Sequence, residues 1–226
     1  MAQGGRHSGA WKNVVLSRDE QFALKRTALL REAAKAFSAR GYHDTSLVDV
    51  AKALGVTKAA LYYYVSSKQE ILFECHMMAL DHGESALAHA EANGRTGREK
   101  ILLMARHYLE RLTADIGSCA VLAEVNALEP ENRAKVVARR DAFDRRFRAF
   151  IEQGIADGSL RNIDPKMTVF FFMGAVNWLT RWFVPDGPYD GETIARMFTD
   201  LLENGIAGER SPAGAPEAGE GGSAAQ

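Results

Sequence analysis

The run TSLVDVAKALGVTKAALYYYVSSKQEIL, residues 45–72, limits the fold more than any other part of the chain. It holds two apolar stretches, each too short to persist alone, separated by Gly55. Isolated helices shorter than about 12 residues are marginal in water, so both stretches must lean on neighbours. Thr45 offers a capping hydroxyl for a helix over residues 47–54, and Thr57 offers one for a helix over residues 58–64. Gly55 permits the tight turn between them, with Val56 directed back into the core. Val48, Val50, Ala51 and Leu54 supply packing atoms to the first helix, and Leu61 anchors the second. Two short helices around a glycine turn describe a helix-turn-helix, whose second helix enters the major groove of a DNA duplex.

Three tyrosines follow the turn. At about 100° per residue, Tyr62 and Tyr63 diverge from Leu61 and leave its buried side. A phenol facing outward suits a duplex, because its hydroxyl reaches phosphate oxygens while its ring packs on sugars or thymine methyls. Tyr64 is expected either to touch a phosphate or to pack on the preceding helix. Lys68 opens a long helix, where its ammonium and the exposed backbone N–H groups together suit a phosphate. The alternative for these rings is to cover the side of a small helical domain.

Charge is unevenly placed. Residues 1–70 carry 11 Lys and Arg against 6 Asp and Glu, whereas the remainder carries 17 against 23. A basic front on an acidic body points the front toward a polyanion. Residues 1–21 are read as a mobile basic arm, and Arg6, Lys12 and Arg18, with Lys25 and Arg26 just beyond, are placed to reach an adjacent minor groove or to remain solvated.

Helical periodicity dominates the rest, with no alternating strand pattern. A first helix is predicted over residues 22–40, with Leu29, Leu30, Ala33, Ala34 and Phe37 inward and Gly41 as the stop. The helix opened by Lys68 runs to Asn93, and others follow over 98–113, 119–128, 130–155, 165–183 and 190–204. Asp164 before Pro165 is a cap followed by a proline in the first helical position. The Gly-, Ala- and Pro-rich residues 207–226 are expected to be disordered. The fold class is therefore all-α: a three-helix head over 22–72 and a helical body over 73–206.

The stretch GYHDTSLVDVAKALGVTKAALYYYVSSKQEIL resembles the DNA-binding domain of TetR-type regulators. The likeness covers residues 25–72 and rests on Phe37, Gly41, Thr45, Val50, Ala51, Gly55, Val56, Leu61, Tyr62, Tyr64, Lys68 and Leu72. Val65 departs from the phenylalanine of many members and is expected only to loosen a packing contact. The resemblance implies a homodimer whose heads read double-stranded DNA at a palindromic operator and whose body binds a small-molecule inducer. It implies phosphate contacts for Thr45, Tyr62, Tyr64 and Lys68, and base-edge or thymine-methyl contacts for Lys58, Ala59, Ala60 and Tyr63.

In the body, TVFFFMGAVNWLTRWF, residues 168–183, is too apolar all round to have a wet face. A second copy is the simplest cover, with Phe170, Gly174, Phe198 and Leu201 at the interface and Gly174 permitting close approach. Trp178, Arg181 and Trp182 share a helix face, which reads either as dimer core or as the end-wall of a pocket for an anionic ligand. Tyr108 and Phe147 are further pocket candidates. The pattern around Asn177–Phe183 looks like the C-terminal domains of TetR-type members that sense acyl-CoA thioesters. Arg133, Lys135, Arg139, Arg140, Arg145, Arg146 and Arg148, beside Phe143, Phe147 and Phe150, suit an acyl chain with a phosphorylated head, or simply a solvated charged face.

The sequence holds no nucleophile–histidine–acid set, phosphate-cradling glycine loop or metal-hydrolase motif, so no catalytic residue and no cofactor is assigned. Cys75, His82 and His89 recur every seven residues, about 10 Å apart along a helix, which is too far for one metal ion. Cys75 and Cys119 are read as reduced and structural, and with no apolar leader or membrane span the chain is expected to be cytoplasmic. Two other readings stay open: an efflux regulator responding to a hydrophobic drug or metabolite, and a ligand-independent architectural DNA-binding protein. The last requires a body without a cavity.

Overall fold

The computed structural model describes residues 16–115, 120–184 and 186–204. The expectations for residues 1–15, for Pro185, for the tail from residue 205 and for Cys119 lie outside the described residues. Among those described there are eight α-helices, one 3-10 segment and no strand. The helices are α1 (Arg18–Arg40), α2 (Leu47–Ala53), α3 (Lys58–Tyr62), α4 (Lys68–Asn93), α5 (Gly97–Ala114), α6 (Pro130–Ala156), α7 (Pro165–Trp182) and α8 (Gly191–Asn204), with the 3-10 segment Ala120–Ala127 between α5 and α6.

The first helix begins earlier than the apolar pattern suggested. Ser17 accepts a hydrogen bond from the Glu20 N–H while the Glu20 carboxylate accepts from the Ser17 N–H, a reciprocal capping box. Residues 18–21, read above as part of an arm, are therefore helical. Arg26 is also withdrawn from that role, since it pairs with Glu70 at 2.9 Å and Glu74 at 3.3 Å.

Leu29, Leu30, Ala33, Ala34 and Phe37 of α1 close over Val50, Ala51, Leu61, Val65, Ile71 and Leu72 to form the head core. Val65 is buried there. Gly41 and Gly55 both have positive φ, +88° and +66°, so each chain reversal falls on the residue that bears it at least cost. Three expectations need correction. Ser46, not Thr45, caps α2, in a second capping box with Asp49. Val48 and Val56 are exposed rather than packed. The third helix ends at Tyr62, leaving Tyr63 as its C-cap.

The head does not stop at residue 72. Its core continues through Cys75 of α4 and takes in Leu128 and Val136 from the body. The Gln69 amide joins the two parts: it donates to the Ala127 carbonyl at 2.7 Å and accepts from the Glu129 N–H at 3.1 Å. The segment expected as a helix over 119–128 is instead a 3-10 segment with a kink at Glu124.

Body helices α4 to α8 enclose a second core of Leu87, Met104, Leu109, Leu112, Phe147, Phe172, Val176, Leu179 and Ile194. Helices α5 and α6 come into close backbone contact at Gly97 and Gly154, where a Cβ on Gly97 would meet the Gly154 backbone nitrogen at 2.1 Å. Asp157 fixes that crossing by accepting from the Gly97 N–H at 2.9 Å. Bonds from Ser159, together with this one, hold the Asp157 carboxyl below the usual aspartate range.

Candidate nucleic-acid interface and body cavity

Thr57 accepts a hydrogen bond from the Ala60 N–H at 3.1 Å and so fixes the start of α3. With Leu61 wholly buried, the helix can present only its other side: Lys58, Ala59 and Ala60 are exposed, Tyr62 is 48 % exposed and Tyr63 68 %. Tyr64 turns back instead, its ring 5.0 Å from that of Phe22 on α1. Phe22 also meets Tyr63 edge-on at 5.5 Å, so one α1 side chain braces two of the three phenols. The Lys58 ammonium lies 5.7 Å from the Tyr62 ring centroid. These groups form an outward patch of phenols, methyls and one ammonium on a short helix held from behind.

Two residues expected at this face point elsewhere. Thr45 is only 1 % exposed, and its hydroxyl donates inward to the Gly41 carbonyl at 2.9 Å. Lys68 donates to the His43 carbonyl at 3.3 Å and sits 4.1 Å from the Tyr42 ring centroid. Burial pushes its ammonium below the ordinary lysine range. In the first turn of α4, Ser67 accepts from the Glu70 N–H, and just ahead of it the Glu70 carboxylate accepts from the Ser66 N–H. Lys68 ties the α1–α2 turn to α4.

In the body, α4, α5, α6 and α7 bound a cavity of about 500 Å³. Leu80, Phe143, Val169 and Met173 give it an apolar wall, while Arg140, Arg148, Asp144 and Asn177 supply polar groups. Gly83 opens room for the Phe143 ring, because a Cβ there would stand 3.0 Å from it. Burial presses the Arg140 guanidinium below the usual arginine range, with Tyr108 acting in the opposite direction.

A third feature is the outer side of α7 and α8. Met167, Phe171, Trp178 and Trp182 of α7 and Met197 and Leu201 of α8 are all exposed, Phe171 by 72 % and Trp178 by 66 %. Nothing lies within 4 Å of a Cβ built on Gly174.

Comparison with known proteins fixes the family. Residues 29–75 match the bacterial regulatory proteins of the tetR family, and residues 94–206 match the tetracyclin repressor-like C-terminal domain. The chain is 34% identical to PfmR, a TetR family transcriptional regulator from Thermus thermophilus, over 79% of this chain and 98% of that one, with a TM-score of 0.69. The chain belongs to the TetR family.

Among curated TetR relatives, the HTH-type transcriptional repressor KstR2 of Rhodococcus jostii (strain RHA1) is 26% identical over 81% of this chain and 91% of its own. A solved TetR-type neighbour, AibR in complex with isovaleryl coenzyme A and operator DNA, is 28% identical at a TM-score of 0.65, over 79% of this chain and 97% of that one.

Within this TetR frame the pocket expectations divide. Tyr108 lines the cavity. Phe147 does not; it is wholly buried between Phe143 and Phe172. Trp178, Arg181 and Trp182 lie on the exposed side of α7 and form no end-wall. The helix instead buries Val169, Phe172, Val176 and Leu179, which fall on the opposite side. Phe170 and Gly174, expected only at an interface, also line the cavity. Phe198 packs on the chain's own core, whereas Leu201 faces out. Most of the basic run on α6 is used internally: Arg139 pairs with Asp81 and Glu84, Arg146 with Glu91, Arg148 with Asp144 and Lys135 with Glu131.

Several residues escaped the sequence reading. Gly83 and Asn177 carry no helical-period signal, yet both line the cavity, one from α4 and the other from α7. Phe22 lay on the expected boundary of the arm, although the Ser17-x-x-Glu20 spacing marks a helix start ahead of it.

Proposed function

We propose that this TetR-family chain is a homodimeric repressor whose α3 reads a palindromic operator and which leaves DNA when an acyl-CoA thioester occupies the body. The observation that carries the DNA-reading part is the outward patch of Lys58, Ala59, Ala60, Tyr62 and Tyr63, backed by a buried Leu61 and braced by Phe22. Tyr62 reaches phosphate, while Lys58, Ala59, Ala60 and Tyr63 meet base edges and thymine methyls. Thr57 positions them through its cap.

The exposed α7/α8 side supports a dimer, since Phe171, Trp178, Met197 and Leu201 form an apolar surface of the kind that needs a partner. Phe170 and Gly174 sit at the edge of that interface, where the lack of a Cβ on Gly174 lets a second helix approach. Two heads on a two-fold axis suit half-sites in successive major grooves about 34 Å apart. A DNA-bound regulator of this kind works in the cytoplasm, and among the described residues no helix is long and apolar enough to cross a membrane.

For the ligand, support comes from a cavity with an apolar wall beside Arg140, and from the likeness to AibR, whose complex holds isovaleryl coenzyme A. An acyl group suits the Phe143, Val169 and Met173 wall, and the Arg140 guanidinium suits an anionic head. The cavity speaks against an architectural protein with a fully packed body. The test is a footprint on DNA beside the chain's own coding region, repeated with isovaleryl-CoA, longer acyl-CoA thioesters and free hydrophobic compounds. Release by a thioester supports the reading. Release by free hydrophobic compounds alone favours the efflux alternative.

A further inference from the structure

Beside the recognition helix lies a separate polar cleft of about 390 Å³, lined by Arg18, Asp19, Gln21, Phe22 and Lys25 of α1 and by Tyr63 and Tyr64. Arg18 and Lys25 are seven residues apart, about two turns or 10 Å along the helix, so they share one side of α1. Phe22 falls between them and is wedged against both tyrosine rings, which fixes the cleft relative to α3. The Tyr63 phenol therefore belongs to two surfaces, the α3 patch and this cleft.

The charges of the head point to this cleft. Arg26, Arg31, Lys35 and Arg40 are each engaged by a carboxylate, and Lys68 is turned onto the Tyr42 ring. Lys58 belongs to the α3 patch, and Lys52, in the last turn of α2, acts on the Asp49 carboxylate. Among the described residues, Arg18 and Lys25 have no ion-pair partner, and both are exposed. Glu20, two residues along from Arg18, is committed to the Ser17 cap. Asp19 is the one carboxylate in the lining that offsets the two cations.

We propose that this cleft is a phosphate seat: Arg18, Lys25 and the Tyr63 hydroxyl hold the DNA backbone beside the half-site that α3 reads. The inference rests on the DNA-binding reading above and adds a site to it. Arg18 and Lys25 thus act from the folded side of α1 on phosphates, not from an arm on minor-groove bases. Cations on phosphate release condensed counterions, so their contribution appears as a salt dependence common to all sequences.

The experiment uses the full chain and two labelled duplexes, one of random sequence and one enriched by the wild-type protein from a random library. Affinity is measured over a KCl series for wild type, Arg18→Gln/Lys25→Gln and Asp19→Asn. All three positions are exposed, and matched thermal melts confirm folding. For the double variant, the slope of log K against log salt is expected to fall by about 0.9 for each phosphate no longer neutralised, about 1.8 per bound head, on both duplexes. The preference for the enriched duplex stays unchanged, and Asp19→Asn tightens binding to both. An unchanged slope in the double variant overturns the phosphate seat. So does a collapse of preference between duplexes, because that would mean base reading. A wild-type chain that binds neither duplex would instead remove the DNA-binding reading itself.

Discussion

Arg31 of the head grips Asp115 at the end of α5 through two parallel hydrogen bonds, Nε to Oδ1 at 2.7 Å and Nη2 to Oδ2 at 2.9 Å. The carboxylate is nearly buried, and the His82 Nε2 of α4 stands 3.7 Å from Oδ2. Helix α4 joins head and body covalently and Gln69 bonds them at Ala127 and Glu129, so this ion pair is a further strut between them, from α1 to α5. A repressor that converts body occupancy into head position needs such links, because a ligand shifts only an equilibrium between whole arrangements. Arg31→Ala leaves the Asp115 charge enclosed without its guanidinium. The arginine is half exposed, so the expected destabilisation is about 2 kcal/mol, between that of a surface pair and a buried one. The paired measurements are urea unfolding and ligand-induced DNA release. The variant is expected to lose stability and to need a different ligand concentration for half release, whereas an unchanged release curve would deny the strut its coupling role.

His76 gives the chain an acid-side weakness. It is wholly enclosed, and neither ring nitrogen has a hydrogen-bond partner among the described residues. Burial, reinforced by the Arg140 charge, lowers its pKa from 6.5 to about 4. The folded state therefore resists a proton that the unfolded state accepts. Stability is fully present above pH 6.5, falls as pH drops from there, and is lost once pH passes the folded value of about 4. At about 1.4 kcal/mol per pH unit, the loss is about 3 kcal/mol. Urea midpoints measured across that range should show the decline in wild type and a flatter profile in His76→Leu.

Gly83 controls the cavity. A methyl group there would press on the Phe143 ring, which forms part of the wall. Gly83→Ala is expected to change stability by less than about 1 kcal/mol, since overpacking against Phe143 is offset by better helix propensity within α4, and to weaken ligand binding more than DNA binding. Titration calorimetry with an acyl-CoA and anisotropy with DNA separate the two effects.

Gly97→Ala places a Cβ against the Gly154 backbone, which cannot move as a side-chain tip can. The expected loss is at least about 3 kcal/mol, at the upper end of overpacking. Thermal melting checks it, and a melt indistinguishable from wild type would mean that α5 and α6 do not meet as described.

Much of the head was legible in the sequence, because local signals there agree with one another. The Thr57 cap, the Gly55 turn and the inward Leu61 fix which side of α3 can face out. The cap of α2 was misread by one position, since Thr45 and Ser46 are both competent hydroxyls and only the Asp49 partner decides between them. The body was harder to read. An apolar helix side looks alike in sequence whether it lines a pocket or awaits a second chain, so Trp178 and Trp182 could not be sorted from Val169 and Met173. Lys68 misled for a related reason: its sequence position suits a phosphate, but Tyr42 and His43, brought over by the α1–α2 turn, engage it first.

That the exposed side of α3 meets a DNA duplex is tested most directly by fluorescence anisotropy with DNA enriched by the wild-type chain. The comparison is between wild type, Tyr63→Ala and Leu103→Ala, the last a partly buried body residue far along the chain from α3. Tyr63→Ala is expected to keep its melting temperature and to lose at least about fivefold in affinity, as for about 1–3 kcal/mol of binding energy. Leu103→Ala is expected to lose stability and to retain affinity where it remains folded. Undiminished DNA binding by a folded Tyr63→Ala protein would contradict the assignment of α3 as the reading helix.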